Sequence, residues 1–234
     1  MKLDPFDQNL VLARLDQSER ERLSPSISEV SLKLGQHIQS VATRSDKMYF
    51  PLSGIVSLVL FMEDGRTGEI AIIGREGLVG SDIYLSGKTS TAEAVVQVAA
   101  SALVLPRKAA LAEFDRKGNF YRVLLEYSQA LMAQIAHVAL CNRHHRVEQQ
   151  LARWLLMSLD RLGSPHVSMT QDLIANMLGV RREGVSVAAH SLQEAGIIEY
   201  QRGKIRVLNR EALLAHSCEC YEAILDVYKR IGIG

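Results

Sequence analysis

Apolar positions at the start of the chain recur at helical spacing (Leu10, Leu12, Leu15, Leu23, Ile27) and Pro25 interrupts them, which predicts one or two short helices over residues 6–28. From about residue 30 to 106 the texture changes. Short β-branched runs such as IVSLVLF and EIAIIG alternate with turns at Gly35, Gly54, Gly65, Gly68, Gly74, Gly77, Gly80 and Gly87, and many short strands at regular turn spacing predict a β-roll or barrel. Beyond Pro106 the period returns to three and four. Leu124, Tyr127, Leu131, Ile135 and Val138 form an apolar stripe along about four helical turns. A helix this long between two small units exposes more than one face, so the stripe is read as the seam of a two-fold dimer; the alternative is that it packs on its own roll. A second amphipathic run, VEQQLARWLLMSLDRLG, stops at Gly163 with Pro165 behind it. The expected architecture is α+β: a cupin-like N-terminal β-roll over residues 1–115, a long central dimerisation helix over 116–145 and a C-terminal unit over 146–234.

The C-terminal unit contains the most informative stretch, SMTQDLIANMLGVRREGVSVAAHSLQEAGIIEYQRGKIRVL, residues 168–208. Thr170 has the chemistry of a helix N-cap, and Leu173, Ile174 and Met177 give the next helix an inward face. Gly179 permits a tight turn. A second helix beginning near Arg181 would bury Val185, Ala188, Ala189 and Leu192, leaving Arg182, Glu183, Ser186, Val187 and His190 outward near its start, as in a recognition helix whose first residues reach base edges in a major groove. An Arg guanidinium can donate twice to a guanine and a carboxylate can accept from cytosine N4, and Arg182 and Glu183 supply one of each. After Gly196, IIEYQRGKIRVL reads as two strands joined at Arg202-Gly203-Lys204, a basic hairpin tip suited to a phosphate. Together these elements predict a winged helix-turn-helix whose DNA-contacting residues are Thr170, Gln171, Arg181, Arg182, Glu183, Ser186, Val187, His190, Arg202 and Lys204.

Composition narrows the picture modestly. The net charge is +1, but residues 141–210 hold ten Lys and Arg against six Asp and Glu, while residues 1–140 hold fifteen against sixteen. That excess is a mild electrostatic footprint compatible with DNA. No apolar run approaches the ~20 residues that span a bilayer, and the stretch MKLDPFDQNLVLARL lacks a leader-like pattern, so a cytoplasmic, membrane-free location is expected. The three cysteines form no even-numbered framework and read as reduced thiols.

With these residues in view, the chain resembles the Crp/Fnr superfamily of bacterial regulators along nearly its whole length. MYFPLSGIVSLVL is similar to the family's β-roll core, EIAIIGREGLVG to the segment entering its ligand-pocket region, and TQDLIANMLGVRREGVS to its helix-turn-helix signature. The resemblance implies a cyclic-nucleotide-binding-like roll and a homodimer with paired central helices. It also implies two recognition helices in successive major grooves of a near-palindromic duplex, with RNA polymerase a further candidate partner. Arg182 and Glu183 match the family's base-reading positions, whereas the following position, often Arg, is Val187, which can touch a thymine methyl but cannot read a guanine. Members that bind cyclic AMP resemble Gly-Glu followed about ten residues later by Arg-Ser or Arg-Thr. Here Gly80 precedes Ser81 and Asp82, the later region reads Ser90-Thr91-Ala92-Glu93, and no arginine lies between Arg75 and Arg107. A phosphate buried without a cation would be unsatisfied, so cyclic nucleotide is not the expected ligand and any small-molecule effector is of unknown identity.

Other chemistries fare worse. No cysteine precedes residue 141, which argues against the N-terminal iron-sulfur cluster of oxygen-sensing relatives. His37 is the only histidine before residue 137, so the roll offers one candidate haem ligand and cannot assemble a cupin two-histidine-one-carboxylate site. Nucleophile-elbow and P-loop patterns are absent, and no enzyme activity or cofactor is expected. His144 and His145 near Cys141, and His216 with Cys218 and Cys220, are zinc-ligand types, but neither group shows a second ligand pair at a recognisable spacing. They read as a helix-junction cluster and a thiol pair at a solvated helix end, metal-free, with redox sensing by Cys218 and Cys220 a minor alternative. The competing functional reading is a dimeric cupin-like ligand-sensing or scaffold module whose helix-turn-helix does not bind DNA.

Overall fold

In the computed structural model, which describes residues 4–233, the chain opens with a short arm of α1 (Pro5–Gln8) and α2 (Gln17–Leu23). The first three residues of the N-terminal stretch lie outside the described residues. A reciprocal cap starts α2: Asp16 accepts from the Glu19 N–H, and Glu19 reaches back to the Asp16 N–H. The other oxygen of the same buried Glu19 accepts from Phe120 N–H at 2.7 Å, so the arm also caps the helix that begins one hundred residues later. Asn9 is fully buried and fully used, donating to the carbonyls of Pro51 and Gly77 and accepting from Val11 and Leu12 N–H.

The predicted roll follows as β1 (Ser28–Leu32), β2 (His37–Gln39), β3 (Lys47–Pro51), β4 (Ile55–Phe61), β5 (Thr67–Ile73), a short helix α3 (Asp82–Leu85), β6 (Glu93–Val98) and β7 (Ala100–Pro106). The pairings between these strands are antiparallel. One sheet has the order β1-β7-β3 and the other β2-β6-β4-β5. Ile55 to Val59 are buried without alternation, because one face of that sheet looks into the roll and the other is covered by the C-terminal helices.

After α4 (Arg107–Phe114) comes the long helix α5 (Asn119–His144), and two extended residues, His145 and Arg146, separate it from α6 (Val147–Leu162). Gly163, at φ 60°, ends α6 in a left-handed cap, as its position predicted. The rest is β8 (His166–Ser168), α7 (Gln171–Leu178), α8 (Arg182–Glu194), β9 (Ile198–Gln201), β10 (Lys204–Val207), α9 (Arg210–Ala215) and α10 (Cys220–Arg230), with β8-β10-β9 forming a small antiparallel sheet.

The stripe expected to form a dimer seam faces inward. Leu124 and Tyr127 are fully buried, Leu131 and Val138 nearly so, and Ile135 is half-buried, all within one protomer. The roll supplies the partners: Tyr127 donates to the Leu78 carbonyl at 3.0 Å, Gln134 to the Ile72 carbonyl at 3.0 Å, and Tyr84 to the Leu124 carbonyl at 3.3 Å. The periodicity marked a face that leaves water, and the roll together with α10 is what covers it. On the opposite side Leu125, Gln129, Met132, Ala136, Ala139 and Arg143 are exposed at alternating spacings of four and three.

Between roll and C-terminal unit lies α6, buried on nearly every side, including Gln150, Arg153, Ser158 and Arg161. Its polar groups meet partners on the roll and on α5. Trp154 donates to Glu69 at 3.0 Å, Ser57 donates to the other Glu69 oxygen, and Arg161 donates to Gln134 at 3.1 Å and to the Met157 carbonyl at 2.9 Å. Arg161 Nε lies 2.8 Å from Glu76, close enough to pair by charge although its N–H is not aligned on the carboxylate. Burial outweighs these stabilising partners at Glu69 and pushes its pKa up to about 7. Among the described residues no helix is long and apolar enough to cross a membrane.

Candidate nucleic-acid interface

The two helices expected at residues 170–194 are α7 and α8. Thr170 Oγ1 accepts from Leu173 N–H at 3.3 Å and caps α7, and Gly179, at φ 66°, closes it with the left-handed turn that a side chain would strain. Val185, Ala188, Ala189 and Leu192 are the buried residues of α8. Its outward face begins with Arg181, Arg182 and Glu183 and continues to Val187, which is 71% exposed, and His190. Ser186 is half-buried and donates to Gln171 Oε1 at 2.6 Å, tying the two helices together. His190 lies 3.2 Å from Glu194 on the solvent side.

Arg182 Nε rests 3.6 Å from Asp172 on α7, with both side chains mostly exposed. Such a pair is worth little in water, so the guanidinium stays free to turn toward a ligand. The hairpin β9-β10 turns on Arg202 and Gly203, at φ 51° and 75°, the left-handed pair that a two-residue turn demands. Lys204 is therefore the first residue of β10 and not part of the turn, and Arg202 holds a backbone conformation uncommon for a side chain-bearing residue. Thr170, Gln171, Asp172, Arg182, Tyr200 and Arg202 line a shallow groove between the start of α8 and the hairpin. It is a polar concavity carrying two guanidinium groups against one carboxylate.

In the region where a nucleotide was not expected, the space between roll and α5 is filled by side chains. Tyr84 is buried against Leu124 and Ser128, its hydroxyl 2.8 Å from Ser128 Oγ, and Tyr127 packs on Gly77. Ser90 is engaged with Ala92 and Gln39, while Glu93 pairs with His37 at 2.6 Å on the surface. His37 is about half exposed and lines an open surface cavity with Gln39, Thr43, Arg44 and Tyr49.

The two metal-ligand groups read separately in the sequence are brought to one place. Cys218 and Cys220 are buried and lie against Cys141 at the end of α5, not at a solvated helix end, and His145 joins them. His144 remains exposed and His216 bonds to the Ala212 carbonyl, so neither takes part.

A β-roll closed by a long helix and followed by a winged helix-turn-helix defines the class of two-domain transcription regulators. Residues 29–117 match the cyclic nucleotide-binding domain and residues 149–216 the Crp-like helix-turn-helix domain. The chain belongs to the Crp/Fnr superfamily, whose members are regulators and not enzymes. Its fold is similar to that of FixK2 from Bradyrhizobium japonicum (20% identity over 82% of this chain and 98% of that one, TM-score 0.71). It is also similar to a Crp/Fnr-family regulator from Eubacterium rectale (16%, 92% and 99%, 0.69) and to CLP, a c-di-GMP-responsive global regulator from Xanthomonas campestris (14%, 82% and 99%, 0.65). None of the curated proteins matches the chain.

Proposed function

We propose that the protein is a cytoplasmic homodimer that binds a near-palindromic duplex in a sequence-specific manner and regulates transcription without responding to cyclic AMP. The observation that carries this reading is the outward face of α8: Arg181, Arg182, Glu183 and Val187 are solvent-facing over its N-terminal half and His190 continues that face about one turn further, while the other face of the helix is packed. Arg182 and Glu183 read bases, and Val187 contributes an apolar contact. Thr170, Gln171, Arg202 and Lys204 flank them and meet phosphates, with Ser186 holding Gln171 in place.

The second copy pairs along the outer stripe of α5, Leu125, Met132, Ala136 and Leu140, whose exposure within one protomer supports that assignment in place of Leu124, Tyr127, Leu131, Ile135 and Val138. The reading against cyclic AMP rests on the missing arginine and on Tyr84 and Tyr127 occupying the space between roll and helix. Selection of bound sequences from a random pool, followed by gel-shift titration, tests the proposal. Arg182→Ala is expected to lose about 1–3 kcal/mol on the selected site and to relax base preference, while Lys204→Ala weakens all duplexes alike and lowers the salt slope by about one. A purified dimer with no preference among duplexes at moderate salt would instead favour the scaffold reading.

A further inference from the structure

We propose that Cys141, His145, Cys218 and Cys220 form a four-ligand site for one zinc ion that clips the start of α10 onto the end of α5. The inference goes beyond the regulatory reading and does not depend on DNA binding.

Each half of the site follows from local structure. Cys141 lies in the last turn of α5 and His145 is the extended residue that ends it, its N–H donating to the Cys141 carbonyl at 3.0 Å, which brings the two side chains together. Cys218 lies in the turn before α10 and Cys220 is its first residue, so the pair straddles a helix start and both sulfurs can turn to one side. The four ligand atoms lie within 4.8 Å of one another. Cys141 Sγ is 3.4 Å from Cys218 Sγ, and Cys220 Sγ is 3.7 Å from His145 Nδ1. A tetrahedral zinc with bonds of ~2.3 Å to sulfur and ~2.0 Å to nitrogen holds its ligand atoms roughly 3.5–3.8 Å apart, so the ion needs only small shifts.

The surroundings are those of a metal centre. His145 presents its other ring nitrogen, Nε2, to Glu219 at 3.3 Å, and a carboxylate on the second nitrogen is the usual companion of a metal-bound imidazole, fixing its tautomer and orientation. Three thiolates and a divalent cation carry a net charge of −1, and the Arg153 guanidinium stands beside Cys141 to offset it. Arg153 is buried, its Nε has no hydrogen-bond partner, and among the described residues it forms no ion pair within 4 Å. Glu69 on β5 is within charge range of Arg153, and the loaded site adds a second counter-charge on the Cys141 side of the buried guanidinium.

A disulfide would use two of the sulfurs and leave the third thiol and the histidine with its Glu219 partner unexplained. The soft thiolate-imidazole set selects zinc over hard cations, and four protein ligands leave no open position, so the site is structural. Loading exchanges three thiol protons for one cation, and the protons leave to solvent.

The experiment is elemental analysis of the full chain purified without chelator, followed by cobalt titration of the metal-free protein. One zinc per chain is expected, and cobalt should produce thiolate-to-metal absorption in the near ultraviolet with visible bands of tetrahedral intensity. Cys220→Ala should abolish these bands, and Glu219→Gln should retain them while weakening zinc about 10- to 100-fold. Because the cobalt spectrum of the native chain needs no variant, a misfolded Cys220→Ala does not spoil the test. Zinc well below one per chain with no thiolate-cobalt absorption overturns the site, as does stoichiometric iron or a Cys141–Cys218 disulfide in protein prepared without reductant.

Discussion

At the scale of single residues, the close approach of roll and long helix depends on a position with no side chain. A β-carbon at Gly77 would fall 2.6 Å from the Tyr127 hydroxyl and 2.9 Å from Ile73 Cγ2, and neither neighbour has room to retreat because both are buried. Gly77→Ala is therefore expected to destabilise the chain by about 1–3 kcal/mol, read as a lowered urea midpoint with an unchanged slope. Gly77 was legible in the sequence only as a turn glycine; its packing role depends on a tyrosine fifty residues away. Gly179 and Gly163 were legible in full, since a left-handed cap is a local requirement that one residue declares.

Among the elements, α5 separates what a pattern can and cannot say. Spacings of three and four identified a helix and its buried face, yet they could not tell a second copy from the chain's own roll, because both remove the same stripe from water. The true outward stripe was overlooked because Gln129, Ala136, Ala139 and Arg143 are weakly apolar or polar. Two substitutions separate the faces. Met132, 63% exposed, changed to Glu should yield a well-folded monomer by light scattering, whereas Leu124→Ala, at a fully buried site, should cost about 2–5 kcal/mol of stability. Should Met132→Glu remain dimeric, the proposed pairing stripe is wrong. The winged helix-turn-helix was readable because its signals are contiguous: a capping threonine, a glycine turn, an outward Arg-Glu pair and a hairpin. The cysteine cluster was not, since Cys141 and Cys218 are 77 residues apart and only the packing of α10 on α5 unites them.

For the molecule as a whole, the junction of roll and C-terminal unit is sensitive to pH through Glu69. Its pKa is about 7 in the folded chain, against the 4.5 of an ordinary glutamate, so the folded state holds more protons across that window. The stabilisation is complete below about pH 4.5 and is lost as pH rises to about 7, a change on the order of 3 kcal/mol. Glu69→Gln, which keeps an acceptor for Trp154 without the charge, should flatten the melting temperature between pH 5 and 8 relative to the native chain. A parallel decline in both proteins would assign the effect to other groups. The enclosure of α6 has a further consequence for anyone wishing to retarget such a regulator. The unit that carries α8 cannot be grafted onto a foreign roll as a portable reader, because the transplanted segment would bring Trp154 and Arg161 without Glu69, Glu76 and Gln134 to receive them. Exchange at this boundary has to carry both sides of the joint.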